Sequence, residues 1–246
     1  DDGTSFPDSA SHPITAEGDT TNTRAQRKIG DSSIYLDEIG DYFSLAASTD
    51  WVFGTGEWTL EGWFYNTSDS NNSCLTWSQR NDAGLSALDN TMQDWVTPVS
   101  GNTTVNWQYQ QPSVGHIDLT HQSTFPKDSW HHVAHVRSGD TVTIYLDGVA
   151  STSTFDATGL SMGLNRVATI ATQDSTRAYS FEGYMDEIRI SDTARYTGAF
   201  TPSTTAFTAD SNTMLLIHSD WDGGLGADSS GNENDFAATN LVATDQ

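Results

Sequence analysis

The stretch that most constrains the fold is residues 179–196, which read YSFEGYMDEIRISDTARY. Side chains on a β-strand point alternately to opposite faces, so every second residue lies on the same face. Tyr184, Ile188 and Ile190 share one parity, which predicts a long inner strand with these three facing a core. Ser191 and the residue after it can cap a short helical turn directly behind this strand.

The same strand carries charged residues at unequal depths. Asp186 has the parity of the core residues, which predicts a carboxylate on the buried side. A charge near a core must be paired, hydrogen-bonded or bound to a metal. Glu187 and Arg189 have the opposite parity and are predicted to face water. The alternative is a β-bulge that returns Asp186 to solvent.

Residues 57–65 alternate as clearly, but both faces are rich in large side chains. One face carries Trp58, Leu60, Gly62 and Phe64, and the other carries Thr59, Glu61, Trp63 and Tyr65. The first face is predicted to be core. Two aromatic residues are unusual on a solvent face, so a second layer is predicted to cover the other one.

Turn signals recur every ~8–12 residues along the chain, and no helical periodicity appears. This spacing predicts an all-β fold of about a dozen strands. The predicted strands cover residues 33–37, 42–45, 57–65, 74–78, 91–96, 103–109, 130–137, 141–146, 149–152, 167–172 and 213–219, with a strong hairpin signal at Asp147-Gly148.

Charge excludes several classes of partner. The 246 residues carry a formal net charge of −23, which repels nucleic acid and anionic membranes. No apolar run approaches the ~18 residues of a membrane span, so membrane insertion is not expected. Cys74 is the one cysteine, so no intrachain disulfide can form, and a bacterial or viral origin is favoured over an extracellular eukaryotic one.

The chain divides into three parts by composition. Residues 1–30 are polar and contain two prolines, which predicts extended or irregular backbone lying over the sandwich. Residues 31–220 contain the predicted strands. Residues 221–246 form a tail that is interpreted as the possible start of a following domain. The chain begins at Asp1, which indicates a processed form or a piece of a longer protein.

Three segments together resemble laminin G-like domains of the concanavalin A-like lectin/glucanase superfamily. They are SIYLDEIGDYFSL with FGTGEWTLEGWFY (residues 33–65), WHHVAHVRSGDTVTIYLDGV (residues 130–149) and FEGYMDEIRIS with ARY (residues 181–196). The resemblance implies a two-sheet antiparallel β-sandwich, a jelly roll. Domains of this kind occur in phage tail-fibre and other virion adhesin proteins and in bacterial surface proteins.

The resemblance also implies a bound calcium ion. The positions that match are Asp8, in the turn of residues 6–12, and Asp186. The tail segment DSSGN (residues 228–232) resembles a turn found near the start of such repeats, which makes Asp228 and Asn232 candidates for a second, similar turn. Calcium takes six to eight oxygen ligands. Ordinary capping of Asx turns by Asp8 and Asp228 is the alternative.

Aromatic and amide side chains concentrate between residues 66 and 124. Sugar rings stack on exposed aromatic faces, while amides hydrogen-bond to hydroxyl groups. The candidate ligand-binding residues are Trp77, Trp95, Trp107, Tyr109, Asn106 and Gln108. Each aromatic one has the alternative role of a core residue.

The spacing of the residues argues against two further interpretations, a zinc site and a retaining glycosidase. His131 and His135 lie four apart on a predicted strand, about 13 Å from each other, and therefore cannot share a zinc ion. A retaining glycosidase needs two carboxylates ~5–5.5 Å apart. Glu187 points away from Asp186, so residues 182–187 do not offer that pair, and no enzyme activity is predicted.

Two functions follow. The first is a non-enzymatic adhesion module that recognises a carbohydrate or other cell-surface ligand, on a phage fibre or surface protein, outside the cell or on a virion. The second is a structural spacer with no ligand of its own. Neighbouring domains of a longer chain are expected partners, and a homo-oligomer is compatible with either function.

Overall fold

A computed structural model describes residues 14–38, 40–68, 73–79, 91–99, 102–173, 179–219 and 236–238. Within these residues the chain is almost entirely strand and loop, with a single 3-10 turn at Thr49–Trp51. The predicted all-β class is therefore confirmed. The described residues contain no helix long and apolar enough to cross a membrane.

The strands, in chain order, are β1 (Ile14–Glu17), β2 (Thr21–Thr23), β3 (Ser33–Asp37), β4 (Tyr42–Leu45), β5 (Trp58–Asn66), β6 (Ser73–Ser78), β7 (Thr91–Val99), β8 (Asn102–Gln111), β9 (Gly115–Pro126), β10 (Trp130–Ser138), β11 (Thr141–Leu146), β12 (Val149–Ala150), β13 (Phe155–Asp156), β14 (Ala168–Ile170), β15 (Glu182–Ser191), β16 (Thr213–Ile217) and β17 (Phe236–Ala238). Three of the predicted strands, β3, β4 and β11, have the predicted bounds.

The strands form two sheets. The eight-stranded sheet has the order β17-β1-β4-β14-β6-β7-β8-β9. The nine-stranded sheet runs β12-β11-β10-β5-β15-β3-β2, with β13 on β11 and β16 on β15. The pairing is antiparallel except between β1 and β17. Sequence neighbours such as β5 and β6 lie in different sheets, as a sandwich with crossover connections requires.

The core lies between the sheets and is unusually aromatic. Its largest fully buried side chains include Trp51, Trp58, Trp77 and Trp107. Trp58 and Trp107 come from opposite sheets, and their ring centroids lie 6.1 Å apart. Each aromatic residue buries a large apolar area, so these contacts between the sheets account for much of the hydrophobic stabilisation.

Part of the outer face of the nine-stranded sheet is covered. Of the two outward aromatic residues of β5 that were predicted to be covered, Trp63 is buried and Tyr65 is partly exposed. The cover is residues 192–212, between β15 and β16, which we call the covering connector. Its Tyr196 and Phe200 rings stack 3.5 Å apart and pack on a small apolar cluster that includes Tyr145. Phe200 N donates to Gly148 O, in a turn where both Asp147 and Gly148 have positive φ, as a type I′ hairpin requires.

A β-bulge changes the predicted face of several residues in β15. Pairing with β5 shifts register between Asp186 and Arg189, and Glu187 has φ +52°. Ile188 and Ile190 face the core as predicted, whereas Tyr184 faces outward with Asp186. The bulge does not return Asp186 to solvent, since it is fully buried.

Glu187 and Arg189 were predicted to be exposed to solvent. That prediction is wrong, because the covering connector buries both. Glu187 accepts a hydrogen bond from Phe207 N at 2.6 Å. Arg189 lies with its guanidinium carbon 4.1 Å from the centroid of the Phe207 ring. Alternation identifies the two faces of a strand but not which faces a later segment will cover.

The described part of the N-terminal segment contains two short strands, β1 and β2. Two further expectations differ from the structure. The helical turn expected over residues 191–196 is absent, and the chain there follows an irregular path. The twelve residues of β9 were not identified as a strand. The tail of residues 221–246 lies outside the described residues except for β17.

Candidate functional site

The outer face of the eight-stranded sheet carries a band of polar side chains on β7, β8 and β9. We call this the polar face; its members are Gln93, Trp95, Thr97, Asn106, Gln108, Gln110, His116, Asp118 and Thr120. Alternation places them together, because the residues between them face the core. The predicted ligand residues Trp95, Asn106 and Gln108 are thereby brought to one surface.

A chain of glutamine amides forms the centre of the polar face. Gln108 Oε1 accepts hydrogen bonds from Gln93 Nε2 at 2.7 Å and from Gln110 Nε2 at 2.9 Å. Gln173, in the loop after β14, donates to Gln93 Oε1 at 3.1 Å. These mutual bonds fix the rotamers of the amides before any ligand arrives. Gln93 and Gln108 are themselves buried, whereas Gln110 is partly exposed.

A histidine and a carboxylate lie at the β9 edge of the polar face. His116 Nε2 is 2.9 Å from Asp118 Oδ1, and Gln108 Nε2 donates to the same carboxylate oxygen at 3.0 Å. About half of each of the two β9 side chains is exposed. Their hydrogen-bonding capacity is therefore open to a ligand, and the carboxylate makes this edge unfavourable for anionic groups.

Trp95 is the aromatic member of the polar face and is partly exposed. Its register partner is Asn106, whose Nδ2 donates to Thr97 Oγ1 at 3.1 Å and whose Oδ1 accepts from Thr120 Oγ1 at 2.7 Å. An aromatic ring beside fixed amide and hydroxyl groups is an arrangement that suits a sugar, which offers C–H faces and hydroxyl edges.

Three of the aromatic candidates do not belong to this surface. Trp77, Trp107 and Tyr109 are fully buried between the sheets, and the Trp107 and Tyr109 rings stack with an interplanar angle of 4°. The prediction that these three bind a ligand through exposed rings is therefore corrected. All three residues lie on the inward-facing parity of their strands. Their rings are therefore removed from water, which stabilises the fold through the hydrophobic effect.

A buried polar contact, which sequence reasoning missed, fixes the orientation of β7. Asp94 points into the core, where its Oδ2 lies 3.1 Å from His135 Nδ1 of the opposite sheet. Its Oδ1 accepts from Trp77 N at 2.8 Å, and Oδ2 also accepts from the Thr76 hydroxyl. With Asp94 anchored inward by three partners, its neighbour Trp95 must point outward.

Asp186, a predicted calcium ligand, is contacted by hydrogen-bond donors in the structure. Its Oδ2 accepts hydrogen bonds from the backbone N–H groups of Lys28 and Ile29, each at 3.0 Å. These donors tie the N-terminal segment to the sandwich. The other predicted calcium ligands, Asp8, Asp228 and Asn232, lie outside the described residues. A calcium site at Asp186 therefore stays a prediction.

A second acidic group lies where the Gly40-Asp41 turn meets the N-terminal segment. Oxygen atoms of Asp19, Asp37 and Asp41 lie within 4.8 Å of one another. Asp41 is buried and accepts from Asp19 N at 2.8 Å and from Asp37 N at 3.0 Å. Burial raises the pKa of Asp41 to about 6. The backbone donors oppose that rise, and the charges of Asp37 and Asp19 add to it.

The fold and the polar face define a two-sheet β-sandwich with a polar sheet surface suited to ligand binding. A family profile described as the concanavalin A-like lectin/glucanases superfamily, of the laminin G type, matches residues 37–198. The match covers more than half of the chain, and the protein belongs to this family. The predicted laminin G-like, jelly-roll identity is thereby confirmed.

Solved structures with the same fold come from bacterial toxins and carbohydrate-active enzymes. The binding domain of Paraclostridial Mosquitocidal Protein 1 is 12% identical, with a TM-score of 0.55, and the match covers 74% of this chain and 44% of that one. Domain 4 of AbnA, an extracellular arabinanase from Geobacillus stearothermophilus solved with arabinotriose, is 18% identical with a TM-score of 0.50, covering 78% and 85%.

The carbohydrate-binding module (CBM40) of the Ruminococcus gnavus IT-sialidase, solved with α2,3-sialyllactose, is 13% identical with a TM-score of 0.52, covering 67% of this chain and 91% of that one. At these identities the likeness shows the fold alone. This chain spans less than half of the toxin domain it matches. No curated protein matches the chain in sequence.

Proposed function

We propose that the protein is a non-catalytic binding module that recognises a cell-surface glycan through its polar face. The observation that carries the proposal is the outward placement of Trp95 beside the fixed amides of Asn106 and Gln108. The ring offers a stacking surface, and the more exposed Gln110, His116 and Asp118 offer donors and acceptors to hydroxyl groups. Asn106 and Gln108 are buried and hold this surface in place. The similar domains solved with arabinotriose and sialyllactose agree with this class of ligand.

The setting of the module is proposed to be the surface of a cell or virion, within a longer fibre or surface protein. The acidic composition, with a net charge of −23, suits a soluble module that is not held to anionic membranes by charge. Neighbouring domains of the same chain or further copies would then supply avidity, because linked weak sites bind more tightly together than singly.

The competing function is a structural spacer. The burial of Trp77, Trp107 and Tyr109 favours it, since these rings need no ligand to explain them. The partial exposure of Trp95 favours a binding module, because an apolar ring left partly open is a common feature of ligand sites.

A glycan array with the parent protein and Trp95→Ala tests the proposal. We expect the parent to bind defined glycans and Trp95→Ala to lose roughly five- to tenfold in affinity, the amount of one aromatic contact of about 1 kcal/mol. Trp130→Ala is the matched control and is expected to bind glycans like the parent, because it removes another partly exposed ring from the opposite sheet. Equal binding by Trp95→Ala and the parent would place the glycan elsewhere, and an array without any ligand would favour the spacer.

Calcium is proposed as a structural ion that stabilises the N-terminal part of the sandwich. Support comes from the family resemblance at Asp186 and from the high density of carboxylates in a chain of this charge. The described residues at Asp186 contribute N–H donors, whereas the group of Asp19, Asp37 and Asp41 contributes the oxygen donors that calcium prefers.

A further inference from the structure

Four aromatic side chains form a continuous row on the outer face of the nine-stranded sheet. Tyr35 on β3 is in register with Tyr184 on β15, which is in register with Tyr65 on β5, which faces Trp130 on β10. The successive ring centroids are 5.0, 5.5 and 5.7 Å apart. All four side chains are partly exposed. We call these four residues the aromatic row.

The aromatic row continues a surface whose neighbouring positions are covered by the chain itself. Along the outer face of β5, Glu61 lies under Tyr196 of the covering connector. Trp63 follows and lies under Lys28 of the N-terminal segment. Tyr65 is the next outward residue and belongs to the row. The row is thus the end of the sheet face that the described connector and N-terminal segment leave partly open.

Cations already bind over aromatic rings on this face. Lys28 Nζ lies 3.9 Å from the centroid of the Trp63 ring. The Arg189 guanidinium lies 4.1 Å from the Phe207 ring. The negative π face of an aromatic ring attracts a cation in this geometry. Lys28 therefore covers the Trp63 ring, the outward residue of β5 that precedes Tyr65.

Two carboxylates lie at one end of the row. Glu182 and Asp37 are register partners, and each lies two residues from a tyrosine of the row. Both carboxylates lie on the same face of the sheet as the row, so they add negative charge to its β3–β15 end. Burial raises the pKa of Tyr35 and of Tyr65, and nearby carboxylates, Asp37 and Glu182 for the first and Asp128 for the second, raise it further.

We propose that the aromatic row is a docking surface for a protein partner that presents arginine or lysine side chains. The rings supply π faces, and Glu182 with Asp37 supplies charge at one end. The net charge of −23 attracts a basic partner from a distance. The row lies on the opposite sheet from the polar face, so this surface is independent of the proposed glycan site.

The test is a calorimetric titration of the protein with a hexa-arginine peptide at physiological ionic strength, where long-range attraction is screened. Replacing Tyr65 and Tyr184 together by leucine removes two π faces and leaves the net charge unchanged. We expect this variant to bind about five- to thirtyfold more weakly, as two cation–π contacts imply. Replacing both residues by phenylalanine keeps the rings, and we expect binding as in the parent.

Trp95→Leu, on the other sheet, is the matched control and is expected to bind the peptide like the parent. Equal affinity of the leucine variant and the parent would overturn the proposal, as would loss of binding in the phenylalanine variant. Loss of glycan binding in the leucine variant, with peptide binding unchanged, would instead make the row a sugar surface and also overturn it.

If the leucine variant does not fold, two charge variants test the proposal in its place. Glu182→Gln removes a carboxylate beside the row, whereas Glu57→Gln removes the same charge at an exposed position elsewhere. We expect Glu182→Gln to weaken peptide binding at least threefold more than Glu57→Gln. A carboxylate in direct contact with the peptide contributes more to binding than one that acts at a distance through screened solvent. Equal effects of the two substitutions would mean that the peptide responds only to the net charge of the protein, and would overturn the proposal.

Discussion

Glu61 and Arg189 face each other across β5 and β15 and form a buried ion pair on the outer side of the sheet. Arg189 Nη2 lies 2.6 Å from Glu61 Oε1, and Nε donates to the same oxygen at 2.8 Å. The Tyr196 hydroxyl donates to Glu61 Oε2 at 2.7 Å, and His132 Nε2 lies 3.2 Å away. The covering connector and the sheet are thus joined through one carboxylate.

Breaking this pair from one side is predicted to destabilise the fold strongly. In Glu61→Gln the Arg189 charge stays buried without its counterion, which typically costs about 3–5 kcal/mol. Chemical denaturation should show this loss. Asp210→Asn is the matched control, because it breaks the exposed pair with Arg195, and we expect a loss of about 1 kcal/mol or less. Similar losses in both variants would mean that the buried network contributes little.

Stability is predicted to fall as pH rises through the range between about 4 and 6. The pKa of Asp41 is about 6 in the folded protein, above the value of about 3.9 in an unfolded chain. In that window the folded state binds more protons than the unfolded state, so raising the pH favours unfolding. Asp19→Asn removes a neighbouring charge and should move the window to lower pH. Melting temperatures measured across this range check both statements.

The opposite trend is predicted at lower pH. Burial would raise the pKa of Glu61, but its contacts with His132, Arg189 and Tyr196 outweigh burial and hold this pKa below its usual value. A carboxylate with a lowered pKa stabilises the fold above its unfolded pKa and loses that contribution as pH falls through its folded pKa. Melting temperature should therefore decline on acidification below about pH 4. A melting temperature that keeps rising on acidification below about pH 4 would contradict the stabilising role of the Glu61 carboxylate.

The two tryptophans Trp107 and Trp95 are predicted to respond differently to truncation. Trp107→Ala opens a cavity between the sheets and should cost about 3–5 kcal/mol. Trp95→Ala removes a partly exposed side chain and should cost about 1 kcal/mol or less, while weakening glycan binding. Denaturation and glycan binding measured on both variants separate the roles. If Trp95→Ala unfolds the protein as readily as Trp107→Ala, Trp95 is a structural residue.

Calcium is predicted to raise the melting temperature of chelated protein by several degrees at millimolar concentration, since an ion bound only to the folded state stabilises it by RT ln(1 + [L]/Kd). Asp186→Asn should abolish the rise if the ion binds where the family resemblance places it. A rise that survives in Asp186→Asn but disappears in Asp19→Asn would assign the ion to the group around Asp41. An equal response to magnesium in every variant would indicate general screening of the acidic surface.

Much of the candidate site followed from local pattern. The sequence marked Trp95, Asn106 and Gln108 as ligand residues because aromatic and amide side chains concentrate there, and the structure brings them to one surface. His116 and Asp118 were missed, although the polar and apolar residues that alternate over 116–120 (HIDLT) could have identified that strand.

By itself, the sequence determined the all-β class, the bounds of β3, β4 and β11, the need for a cover over Trp63, and the family. These features depend on period-two alternation and turn chemistry, which act within a few residues. Only the tertiary structure decided that Trp77 and Trp107 are core, that Glu187 and Arg189 are covered, and that four aromatic residues from four strands form a row. Those outcomes depend on contacts between segments far apart in the chain, and the parity of a single strand carries no information about what packs on its other face.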